Sequence, residues 1–301
     1  MKFLKRTLFA LAVAGLMGAG GAQAASVSST LFNGFQQLSD NSAESLINGP
    51  CAAGAACSAT TLDLGDRLRG IFTIETLEQA GSPTRFLGGA SANNELAGIF
   101  DITVVGKVSL GPAGFAFVFA PTATFAAEWG APAGTAVVMF EDATPEYERI
   151  NPNCTVTGPG GDCEGLISDG SLLFALGFGA TGKEFWSAFA VTDDIGLIGA
   201  VPAPGNGGTF NLALDMLVNN SSRTFLGVPC GVGSGAVVAA DGLEVCGSGS
   251  LLGNGGVGTP YDTFDNVDFT VNVVPEPSST LLVGLGLLAA GALSRRQRRQ
   301  G

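Results

Sequence analysis

The chain has 301 residues, 46 of them glycine and none histidine, and only 13% of them are charged. Its formal net charge is −12 at pH 7; without residues 1–24 and 275–301, seven Lys and Arg face 25 Asp and Glu, about −18. Such a field repels nucleic acid, which is bound through clustered Lys and Arg, and the missing imidazole excludes Ser-His-Asp and Cys-His catalysis.

Lys2, Lys5 and Arg6 open the chain, an apolar run follows from Leu8 to Met17, and small residues lead to Ala22-Gln23-Ala24. A positive start, a short apolar core and an A-x-A site describe a signal peptide over residues 1–24, with Ala22 and Ala24 setting its cleavage. The run is shorter than the roughly 20 residues that a membrane span needs. Export through the Sec translocon and trimming by signal peptidase are expected.

Residues 25–274 then form the exported body. Gln36 to Ile47 is read as a short helix. Beyond it, glycine at about twice its usual share suits many turns between strands. Strands are expected at Arg69–Thr76, Ile99–Leu110, Thr135–Phe140, Ser171–Phe178 and Glu184–Val191. Period-two patterns put Phe115, Phe117 and Phe119 on one face, as they do Phe210, Leu212, Leu214 and Met216, and Val267, Phe269, Val271 and Val273. Breaks such as Gly158-Pro159-Gly160-Gly161-Asp162 and Pro202-Ala203-Pro204-Gly205-Asn206 separate the strands. The expected fold is all-β, an antiparallel β-sandwich with a jelly-roll-like order, in which most of the 20 Phe residues fill the core.

All six cysteines lie in the body and form three sequence-local pairs, Cys51 with Cys57, Cys154 with Cys163, and Cys230 with Cys246. In an oxidising compartment an even count reads as disulfides, and proximity selects these pairings among many. Without histidine or a C-x-x-C spacing no zinc site is expected, and no cofactor is called for.

Other chemistry is sparse. Two G-x-G-x-x-G matches, Gly177–Gly182 and Gly253–Gly258, open no βαβ unit and read as turns. The acids Glu141-Asp142, Glu146 with Glu148, and Asp193-Asp194 are the material for a glycosidase's two carboxylates, but neighbours on a strand point to opposite faces. Asp262, Asp265 and Asp268, with Asn266, make a weak calcium candidate without EF-hand spacing. Isolated T-x-T pairs such as Thr122/Thr124 fall short of the flat threonine array that ice binding calls for.

The C-terminus reads Val274-Pro275-Glu276-Pro277, then an uncharged stretch from Ser278 to Ser294, then Arg295, Arg296, Arg298 and Arg299. As a helix that stretch spans roughly 25 Å, at the short limit for a bilayer core, and the arginines hold its end in the cytoplasm. The Pro-Glu-Pro triad, short apolar helix and terminal Arg cluster over residues 275–301 resemble the PEP-CTERM sorting signal. The resemblance implies that exosortase, a membrane-embedded enzyme, recognises Pro275, Glu276 and Pro277 and removes the tail. It also implies a transient inner-membrane precursor, then a surface or extracellular protein in a bacterium that makes exopolysaccharide. The expectation for the whole chain is a non-enzymatic surface or matrix protein; the alternatives are a secreted carbohydrate-active enzyme and a stably tail-anchored envelope protein.

Overall fold

The structure, a computed structural model, describes residues 27–49, 61–87, 94–143, 161–194, 208–228, 230, 243–253 and 263–274. Twelve strands follow one another as β1 (Gly34–Ile47), β2 (Arg67–Glu78), β3 (Arg85–Phe86), β4 (Glu95–Ser109), β5 (Phe115–Pro121), β6 (Thr135–Asp142), β7 (Ser171–Gly177), β8 (Phe185–Ala190), β9 (Gly208–Asn219), β10 (Thr224–Leu226), β11 (Val245–Gly253) and β12 (Thr263–Val274). Among the described residues three short α-helices, α1 (Val27–Thr30), α2 (Phe125–Glu128) and α3 (Asp162–Ser168), accompany them. The five strand segments expected from the sequence fall within β2, β4 and β6 to β8, with ends differing by a few residues.

All the pairings are antiparallel, and they close a ring in the order β1, β2, β4, β6, β7, β9, β11, β12. The antiparallel β class is as expected, but one sheet closes on itself where two separate sheets were anticipated. The ring is shut by the pairing of β1 with β12, and β4 and β9 each change partner midway. Glu95–Phe100 of β4 pairs with β6 and Ile102–Ser109 pairs with β5. Thr209–Ala213 of β9 pairs with β8, and its later residues pair with β7. The wall between β4 and β9 therefore forks into β6–β7 at one level and β5–β8 at the other.

The segment Gln36–Ile47 is the largest correction. It lies inside β1, hydrogen-bonded along its length to β12 on one side and β2 on the other. Its inward residues are Gln36, Leu38, Asp40, Ser42 and Glu44, all buried. With polar side chains on the inward face, the alternation that betrays a strand is absent from the sequence. Pairing on both edges outweighs local propensity.

The other inward faces are apolar. Leu96, Phe100, Ile102 and Val104 of β4 meet Phe72 and Ile74 of β2, Phe117 and Phe119 of β5, Phe210, Leu212 and Leu214 of β9, and Val267, Phe269, Val271 and Val273 of β12. The three phenylalanines of β5 stack along one face, with ring centroids 6.3 and 6.4 Å apart. Met216 at the end of β9 is half-buried against the same core. Glycine makes room for the large rings: Gly70 lies opposite Phe100 and Gly98 opposite Phe72, and Gly249 lies opposite Phe210. A Cβ at any of the three would sit 2.3–2.6 Å from that ring. Outside the barrel, α2 and α3 cover a second cluster of Ala43, Ile71, Ile99, Val138, Phe140 and Ile167.

Among the described residues no helix is long and apolar enough to cross a membrane. The expected tail helix lies outside those residues.

Candidate functional site

The inside of the barrel is where the sequence departs most from what a core needs. Ser42 stands opposite Asp265, and Glu44 opposite Thr263, across the β1–β12 pair. The Ser42 hydroxyl lies within hydrogen-bond reach of Glu44 Oε1 at 2.6 Å and of Asp265 Oδ1. One hydroxyl carries one proton, so two carboxylates gathered on it need a proton of their own. Asp40 Oδ1 accepts the Val267 amide at 2.8 Å, while Asp40 Oδ2 and Glu44 Oε2 meet no donor. Burial and then the charge of Asp265 push Asp40 and Glu44 well above the usual carboxylate range. Burial holds Asp265 up to about 8.

Glu44, Thr263 and Asp265 form the polar end of a cavity of about 40 Å³. Its walls include Phe100, Phe117, Phe119, Trp186 and Phe210. Leu62, Ala188, Thr192 and Asp193 also belong to the lining. Leu62 belongs to a strap, residues 61–66, laid across this end of the barrel. The Leu62 amide donates to the Asp193 carbonyl at 2.8 Å, the Gly65 amide to Val104 at 2.9 Å, and the Val104 amide to Asp66 at 2.8 Å. Lys107 fastens the strap, its Nζ lying 2.8 Å from both Asp63 and Asp193. Burial works against the Lys107 charge, and its bonds to Asp193 and Asp63 more than compensate, raising its pKa.

A second charged cluster lies outside the barrel, under the helices. Arg69 faces Asp101 across β2 and β4, and its side chain is fully enclosed. All five of its N–H groups are used: Nε and Nη2 bond Glu164 at 2.6 and 2.7 Å, Nη2 and Nη1 bond Glu128 at 2.6 and 2.9 Å, and Nη1 bonds Asp101 at 3.0 Å. Arg67 pairs with the same Asp101, and the Thr122 hydroxyl donates to it at 2.6 Å. Glu128 closes α2 and Glu164 lies in α3, so one guanidinium ties both helices to the wall. Burial alone would lower the Arg69 pKa; the bonds from Glu164 and Glu128 raise it instead, and the group stays charged.

The acids singled out in the sequence are spread apart. Glu141 lies opposite Leu96 at the start of β4 and accepts the Val27 amide, whereas Asp193 binds Lys107 near the end of β4. The two acids thus sit towards opposite ends of β4, not at the 5–10 Å or so that a pair of glycosidase carboxylates requires. Glu146 and Glu148 lie outside the described residues. Asp265 points into the barrel and Asp268 points out, because three residues along a strand reverse the face; they do not converge on one ion, and Asp262 lies outside the described residues. Among the described residues no group of three or more acidic, Cys or His side chains is placed to hold a metal. The first glycine match is the β7–β8 turn, with Gly182 at φ +67.

Cys230 and Cys246 are bonded, Cα to Cα 5.4 Å. Cys163 is also disulfide-bonded, while Cys51, Cys57 and Cys154 lie outside the described residues, as do the signal residues Ala22 and Ala24. Sequence reasoning missed Asp40 and Glu44 because their strand was read as a helix. It missed Arg69 although Arg67 and Arg69, one strand period apart, marked a charged outer face.

The last barrel strand runs straight into the tail. β12 ends at Val274 and Pro275 follows, with no amide to continue the ladder. Residues 273–299 match the PEP-CTERM protein-sorting motif. That motif, following a closed antiparallel barrel, is the mark of an exported exosortase substrate; it implies a membrane-anchored precursor and then the cell surface. No curated protein matches the chain.

Proposed function

We propose that the mature barrel is a non-enzymatic component of the cell surface or extracellular matrix, associated with the producer's exopolysaccharide. The observation that carries this reading is the sorting motif at residues 273–299. The Sec translocon delivers the chain and signal peptidase removes residues 1–24. The span from Ser278 to Ser294 then holds it in the inner membrane, with Arg295, Arg296, Arg298 and Arg299 inside, until exosortase acts at Pro275, Glu276 and Pro277.

The test is the intact, non-reduced mass of the protein recovered from envelope and medium. A species lacking residues 1–24 and most of the tail beyond Pro277, with the mass deficit of three disulfides, supports the reading. A species retaining Leu281–Gly301 makes the chain a stably anchored envelope protein instead. Retention on the producer's polysaccharide supports the partner, and its failure refutes that partner. Sugar release from that polysaccharide would establish the enzymatic alternative.

A further inference from the structure

Two buried carboxyls at the end of an aromatic cavity leave one acceptor, Glu44 Oε2, without a donor. Glu44 is 2% exposed and Asp265 7%. They share the single hydroxyl of Ser42, and Glu44 Oε2 has no donor although it lines the cavity wall. The remaining titratable groups nearby are Asp40, also buried on β1, and Asp193 at the mouth, which Lys107 already neutralises. No basic side chain reaches the carboxyl end among the described contacts; Arg67 and Arg69 are engaged on the outer face.

The walls suit the same occupant. Phe100, Phe117, Phe119, Trp186 and Phe210 present ring faces and edges to a space of about 40 Å³. Aromatic faces attract desolvated cations, and an acid at one end of such a box fixes the cationic head by charge-assisted hydrogen bonds. A hydrated metal ion gains little from this apolar lining, since hard cations take several oxygen ligands. We infer that the barrel interior is a binding site for a small organic ammonium ion, whose N–H groups bond Glu44 and Asp265 and whose short apolar body lies against Trp186 and the surrounding phenylalanines. The cavity lies under Leu62, at the end of the barrel opposite the tail. From Asp265 to Val274 the strand covers about 30 Å.

Tryptophan fluorescence reads the site directly. The chain has two tryptophans; Trp129 lies outside the barrel against Phe125 and Phe140, and Trp129→Phe leaves Trp186 as the reporter. The detergent-solubilised full chain is titrated with ethylammonium, with ethanol, acetate and calcium as parallel probes. The expected result is saturation by ethylammonium at concentrations on the order of millimolar, set by so small a ligand, with ethanol at least tenfold weaker and acetate silent. Glu44→Gln and Asp265→Asn each weaken binding at least tenfold. Ala188→Leu, which fills the cavity and leaves the carboxyls in place, abolishes it and guards against a carboxyl variant that fails to fold. Absence of saturation, equal response to ethanol, or unchanged affinity in Glu44→Gln overturns the inference. So does calcium binding that survives Ala188→Leu while ethylammonium has no effect. None of these readouts depends on sorting or on polysaccharide.

Discussion

Gly98 and Phe72 face one another across β2 and β4, and a Cβ on Gly98 would come 2.3 Å from Phe72 Cζ and 2.8 Å from the Val138 carbonyl oxygen. The ring lies over the glycine, so the two residues together occupy what two larger side chains cannot share. Gly98→Ala should therefore destabilise the barrel by roughly 1–3 kcal/mol, the usual cost of overpacking. Gly165, exposed in α3 with nothing within 4 Å of its ideal Cβ, is the contrast. There Ala should be neutral or stabilising by up to about 1 kcal/mol. Denaturant midpoints of the two variants decide it, and equal effects would contradict the packing account.

Removing Arg69 strands Glu164 in a covered site and leaves Asp101 to Arg67 and Thr122 alone. Arg69→Met should cost about 3–5 kcal/mol, because an uncompensated buried charge is far worse than no pair at all. Glu128 keeps a third of its side chain in solvent, and Glu128→Gln should cost no more than about 1 kcal/mol. Chemical denaturation with a fluorescence probe distinguishes these values, and near-equal losses would show the cluster to be less cooperative than its geometry implies.

Stability should fall as pH rises from about 4 to about 8. Asp265 is held up to about 8, and Asp40 and Glu44 are raised as well, whereas the unfolded chain releases the same protons near pH 4. Across that window the folded state binds more protons than the unfolded, which is the sign of a stability lost on raising pH. Asp215, raised to about 7 by partial burial and by Glu184, adds in the same direction, damped by solvent. Glu184 is lowered to about 2 by its hydrogen bonds to Asp215 and Thr181, against partial burial; its contribution is lost only below about pH 4. The melting temperature should be higher at pH 5 than at pH 8, and Asp265→Asn should shrink the difference. A flat profile in the unmodified protein would refute this.

The Cys230–Cys246 bond closes a separation of 16 residues and packs with Ala213, Val228 and Leu243. A loop of that size corresponds to about 3 kcal/mol of unfolded-state entropy. The double variant Cys230→Ser/Cys246→Ser should lower the melting temperature by roughly 5–10 °C. Calorimetry under non-reducing conditions tests it, and an unchanged transition would mean that the strand pairing alone holds this edge.

The sorting tail was legible because it is a short linear pattern, Pro-Glu-Pro, an apolar stretch and a terminal Arg cluster, and residues 273–299 match the sorting motif. Most strands were legible too: β5, β9 and β12 carry the apolar alternation that reveals one buried face. The nearby pair Cys230 and Cys246 also proved to be bonded, as proximity suggested. The interior site was not legible. Asp40, Ser42 and Glu44 look like the polar face of a helix until β12 and β2 are in place on either side of them.

What the sequence by itself determined is local: which segments beyond β1 are extended, where turns fall, and that the C-terminal tail carries a sorting motif. Only the tertiary structure decided that β1 is a strand, that β4 and β9 fork the wall while β1 and β12 close the barrel, and that Glu44 meets Asp265 inside while Arg69 gathers Asp101, Glu128 and Glu164 outside. Those outcomes depend on pairings between residues as far apart as Ser42 and Asp265, which no local periodicity encodes. Burial then alters the chemistry of the groups brought together, because a carboxyl that is ordinary in water is costly once enclosed.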